Sequence, residues 1–141
     1  MIMDIKSQIY NIFANDALAA DDGESSKCEE IENLISVYGW DFVQTTLLQM
    51  LDNPQLDVSE YDVIAQVFWG AVLDKRDIDK NKTIALLYKR LPPVSEVGES
   101  YCEHLDNLIW SITHRLKSVG YLSEYDPLKD PDILEEMSKY K

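Results

Sequence analysis

The sequence predicts an all-α protein of about seven helices in a single domain, residues 1–141, on three observations. Apolar residues recur with a period near 3.6 along almost the whole chain. No segment alternates apolar and polar residues in the manner of a strand. Helix stop and start residues punctuate the pattern at Gly39, at Pro92 and Pro93, and at Asp130 and Pro131. The pattern does not decide between one bundle and a short stacked array of helical hairpins, and no motif recurs at fixed spacing.

Ile5, Ile9, Ile12 and Phe13 mark a first helix from about Asp4 to Leu18, broken by the polar run AADDGESSK. Ile31, Leu34, Ile35 and Tyr38 mark a second, closed by Gly39, a residue free to take the left-handed conformation at a helix end. Trp40, Val43, Leu47, Met50 and Leu51 give a third, stopped by DNP. The fourth starts near Ser59 and contains VIAQVFWGAVL, apolar almost all round, which is how a central, surrounded helix reads. After DKRDIDKNK a fifth presents Ile84, Leu87, Tyr88 and Leu91 before the two prolines. The longest candidate runs from Glu99 to Val119, with Gly120 placed to end it. The last begins at Asp130 as N-cap with Pro131 in the first turn, where its missing N–H costs nothing.

A chain of 141 residues is long enough to close its own core, and 45% hydrophobic residues argue against global disorder. The charge is lopsided: 13 Lys and Arg against 26 Asp and Glu give −13. Such a molecule draws in basic partners and repels nucleic acid and anionic lipid, so neither direct nucleic-acid binding nor membrane binding is expected. Cys28 and Cys102 lie far apart with no CxxC spacing, and the N-terminal MIMDIKSQIYNIFAND is amphipathic without a cationic leader or a long apolar run. The expectation is a soluble, cytoplasmic protein with two reduced thiols, a monomer or a dimer.

Catalytic signatures are lacking. His104 and His114 are ten apart, there is no HExxH, P-loop or GxSxG motif, and the neighbouring side chains of CEH at 102–104 point about 100° apart on a helix. Glu99 with Glu103, or His104 with Asp106, make poor metal-ligand sets without a second matching motif. No enzyme activity, metal or cofactor is expected.

Charge placement carries the functional reading. From Cys28 to Asp74 the chain holds nine acids and no Lys or Arg, four of them, Asp52, Asp57, Glu60 and Asp62, within DNPQLDVSEYD. Helix-start chemistry explains part of this, since Asp57 with Glu60, or Ser59 with Asp62, can form a capping-box variant at the positive end of the fourth helix. Six cations, Lys75, Arg76, Lys80, Lys82, Lys89 and Arg90, follow as a strip able to neutralise neighbouring helices of the same molecule. Tyr61, Tyr121 and Tyr125 stand among acids and are less easily buried than the other aromatics, the composition of a protein-binding patch. The candidate partner-binding residues are therefore Asp52, Asp57, Glu60, Tyr61, Asp62, Tyr121 and Tyr125, with the C-terminal acids as a second possible surface.

In size, acidity and helical build the chain resembles the immunity proteins of bacterial toxin systems, of the contact-dependent inhibition and nuclease colicin types. The resemblance implies an inhibitor that binds a basic toxin domain, often a nuclease, and covers its active site with carboxylates standing in for phosphates. The alternative is a helical adaptor or scaffold subunit that binds a peptide or protein between its helices.

Overall fold

The computed structural model describes residues 4–14, 23–120 and 124–140. The fold is all-α, with eight α-helices, one 3-10 turn and no strand among the described residues.

Helix α1, Ile5–Phe13, starts where Asp4 accepts the Ser7 N–H at 2.9 Å, and that bond holds the Asp4 carboxyl below its usual range. It closes at Ala14, so the first helix is shorter than the expected reach to Leu18, and residues 15–22 lie outside the described part. Helix α2, Gly23–Tyr38, begins earlier than its apolar stripe suggested, with GESSK already helical. Gly39 alone separates it from α3, Trp40–Leu51, with φ 92° and ψ 152°, a conformation open in practice only to glycine.

Helix α4, Val58–Leu73, is central, as its all-round apolar sequence predicts: Ile64, Ala65, Phe68 and Ala71 are fully buried, and it packs against α2 on one side and the long helix α7, Glu99–Leu116, on the other. It ends with Lys75 in the left-handed region (φ 58°), where the Arg76 N–H reaches back to Ala71 O at 3.0 Å. Helix α5, Lys80–Lys89, packs on α3 and α7 and ends before Pro92 and Pro93. The link beyond holds the short α6, Val94–Val97, so the helix count rises by one over the expected seven.

Helix α7 stops at Leu116 and not at Val119, because Ser118 takes φ 57° and the Val119 N–H bonds His114 O at 3.0 Å; Gly120 is not the terminator. After the 3-10 turn Pro127–Lys129, helix α8, Pro131–Met137, starts as expected, with Asp130 accepting from Asp132 N at 3.0 Å and Pro131 in the first turn. It lies chiefly on α5 and buries Ile133 completely.

One hydrophobic cluster takes in residues of α1 to α5, α7 and α8. The loop between α4 and α5 is fixed by a buried amide. Gln44 on α3 donates to Asp77 O at 3.2 Å and accepts the Asp79 N–H at 2.8 Å, while the Trp40 indole N–H donates to the same Asp77 carbonyl at 2.7 Å. Neither Cys28 nor Cys102 is in a disulfide. No helix among the described residues is long and apolar enough to cross a membrane.

Candidate functional site

The acidic stretch at the start of α4 divides into carboxylates that serve the fold and carboxylates that face water. Asp57 is the N-cap, accepting the Ser59 N–H at 2.9 Å and the Ser59 hydroxyl at 3.1 Å; its side chain is exposed. Glu60, in the first turn, is half-buried. Loss of water around it, then the neighbouring Asp57 charge, pushes its carboxyl up, against a smaller opposing pull from Lys27. Asp52 at the end of α3 receives the Arg90 guanidinium, whose Nη2 donates to both its carbonyl (2.9 Å) and its carboxylate (3.0 Å).

Two expectations of exposure are corrected. Tyr61 is 1% exposed and its hydroxyl donates to Leu87 O, so burial drives its phenol well above the usual range. It shares a face with Ile64, Ala65 and Phe68, the i, i+3, i+4, i+7 stripe of a core helix. Asp62 is 3% exposed. Its Oδ2 accepts the Tyr101 hydroxyl at 2.6 Å, its Oδ1 accepts the Gln66 amide at 2.9 Å, and His104 Nε2 stands 3.7 Å from Oδ1. A carboxylate so enclosed holds α4 to α7 and presents no face to a partner.

Tyr125 is likewise engaged, half-buried with its hydroxyl donating to Asp130 Oδ2 at 2.6 Å. Burial first, and that bond next, raise the phenol strongly, while the same bond is the main cause that holds Asp130 below its usual range. Lys117, the C-cap of α7, completes the knot, 3.4 Å from Asp130 and donating to Asn81 on α5 at 3.0 Å. Tyr121 lies outside the described residues.

The basic strip behaves in part as an internal neutraliser. Arg76 bonds both carboxylate oxygens of Glu32 (3.1 and 2.8 Å) and lies 5.5 Å over the Trp40 ring, and Arg90 is held by Asp52. With Glu32, Asp52, Asp62 and Asp74 engaged, four acids of the cation-free segment remain exposed with no ion pair among the described residues: Glu29, Glu30, Asp41 and Asp57.

Comparison with known proteins adds no relative. No protein-family model, curated protein or solved structure matches the chain. The geometry of its own surface therefore carries the functional argument.

That surface includes an apolar patch that charge reading alone missed. Val37 is 73% exposed and Phe42 58%, and the Phe42 ring stacks on Tyr38 with centroids 6.2 Å apart. Tyr38 in turn accepts a hydrogen bond at 2.8 Å from the Gln8 amide on α1. Gln8 lines a cleft of about 300 Å³ between α1 and α2 together with Ile12, Glu30, Asn33, Leu34 and Val37. The available signal was periodicity: Val37 and Phe42 are large apolar residues that fall off the core stripes of their helices. Among the described residues no three His, Cys, Asp or Glu side chains are placed to hold a metal ion.

Proposed function

We propose that this protein is a non-catalytic binding protein that docks a basic protein partner through its acidic face, in the manner of the small acidic immunity proteins it resembles, with a toxin domain as the partner. The observation that carries the reading is the set Glu29, Glu30, Asp41 and Asp57, left exposed and without an ion pair among the described residues while Arg76 and Arg90 neutralise their neighbours within the molecule. Internal balance does not account for these four, and at a net charge of −13 they steer a cationic surface inward. Of the acids at the start of α4, Asp57 and Glu60 face the partner in this reading, and Asp52 at the end of α3 contributes only beside Arg90. The adaptor alternative draws on one feature, the cleft between α1 and α2, which is compatible with the same partner chemistry.

The test is the protein encoded by the adjacent reading frame, whose C-terminal domain is captured and the association rate of this chain measured at low and high salt. The rate is expected to fall at least tenfold across that range, and replacing Glu29, Glu30 and Asp57 by Gln, Gln and Asn should slow association with dissociation little changed. A salt-independent association rate, or no binding together with no effect on that domain's activity, would reject the reading.

A further inference from the structure

Resting on the reading above, we infer that the cleft between α1 and α2, continued over Tyr38 and Phe42, is the seat of an amphipathic helix of the basic partner. Apolar side chains of that helix enter between Ile12, Leu34 and Val37, and Lys or Arg at its margins meet Glu30 and Asp41. Three observations converge on this.

The first is continuity. Gln8 lines the cleft and hydrogen-bonds Tyr38, and Tyr38 stacks on Phe42, so cleft and rings form one surface running from α1 across α2 to α3. A cleft of about 300 Å³ has room for a few side chains, and that suits the spaced anchors of a helix laid in a groove.

The second is exposure. Val37 at 73% lines the cleft in water, and Phe42 at 58% stacks on Tyr38, where scattered single apolar residues are ordinary but a connected set is a contact surface.

The third is charge, which selects the occupant. Among the described residues no Lys or Arg lines the cleft, Glu30 does, and Asp41 precedes Phe42. The cation one helical turn before Glu30 is engaged within the molecule, since Lys27 Nζ donates to Phe13 O at 3.0 Å. A second copy of this chain would bring the same acids and another −13 to the contact, so like charges would face each other. Nucleic acid and anionic lipid are repelled for the same reason. A helix carrying both cations and apolar anchors is the occupant whose chemistry matches.

The experiment titrates the ¹⁵N-labelled full chain with two synthetic helical peptides at low salt. One carries Leu at positions i, i+3, i+4 and i+7 with Lys on both flanks; the other keeps every Lys and replaces each Leu by Ser. The expected result is that the Leu–Lys peptide shifts the amides of Ile12, Leu34, Val37, Tyr38 and Phe42 and binds at least tenfold more tightly than the Ser–Lys peptide. Val37→Asp, at an exposed position that leaves the melting curve unchanged, should weaken the Leu–Lys peptide tenfold or more while the Ser–Lys peptide binds no less tightly than before. Equal binding of the two peptides, or shifts centred on Asp57 and Glu60, would overturn the groove while leaving the acidic-face reading intact. Failure of both peptides to bind would reject both. Concentration-dependent dimerisation in sedimentation, abolished by Val37→Asp, would overturn the proposal by assigning the surface to a second copy.

Discussion

Removing the Tyr101 hydroxyl tests whether Asp62 belongs to the fold or to the surface. Asp62 is enclosed between α4 and α7, with Tyr101 donating at 2.6 Å and Gln66 at 2.9 Å. A hydrogen bond to an ionised group contributes about 1.5–3 kcal/mol net, and Tyr101 is only partly buried, so Tyr101→Phe should lose about 1.5–2 kcal/mol at the lower end of that range. Asp62→Ala removes the acceptor of both donors and should lose about 3 kcal/mol or more. Both variants remain folded if the domain has an ordinary stability of about 5–15 kcal/mol. Urea unfolding followed by far-ultraviolet circular dichroism on the wild type, the two single variants and the double variant gives the coupling between the residues, expected at about 1–2 kcal/mol. A coupling under about 0.5 kcal/mol would mean that the carboxylate is solvated and the enclosure argued above is mistaken. As a companion, Asp62→Asn should leave the rate of partner association unchanged, whereas Asp57→Asn should slow it.

Three further outcomes follow from the same geometry. Gly39→Ala should cost about 1–3 kcal/mol from the backbone alone, because φ 92° with ψ 152° is closed to L-residues while an added Cβ would meet nothing within 4 Å; a melting temperature equal to wild type contradicts this. Glu60→Gln should raise the melting temperature at pH 7, because a carboxyl whose folded pKa is raised above its unfolded value makes the ionised form a burden above the folded pKa. That gain should fade as pH falls through the raised folded pKa and be gone below the ordinary value near 4.5, and a lower melting temperature at pH 7 would show that the α4 dipole outweighs burial. Phe68→Asp places an unpaired charge in a site with no exposure and should abolish the cooperative unfolding transition; a wild-type melt would remove α4 from the centre.

The helices were legible where a local signal coincides with the tertiary need. Gly39 and the Asp130–Pro131 pair each set a boundary through backbone chemistry that does not depend on neighbours. The all-apolar run of α4 foretold its central place for the same reason. Boundaries set by geometry alone were not legible: Ser118 ends α7 in the left-handed region although Gly120 stands two residues on, and the first turns of α2 are too polar for periodicity to register. The candidate site was less readable, because charge along the chain does not tell which acids already have partners. Glu32 and Asp52 find arginines 44 and 38 positions away, pairings visible only once α2, α3 and α5 are packed. Tyr61, expected at the surface because of its acidic neighbours, is buried, and its spacing to Ile64 and Phe68 was the signal that pointed inward.

The knot at Lys117 bears on the order in which the molecule can be completed during synthesis. One ammonium joins Asn81 of α5 to Asp130, the residue that starts α8, and Ile133 of that helix fills a fully buried place on α5. A ribosome delivers α5 well before α8, at about 5–20 residues per second, so for an interval on the order of seconds the side of α5 that α8 covers is bare. During that interval the nascent chain is an unfinished core open to chaperones or to misassociation. Shortening the chain before Ile133 would make the condition permanent.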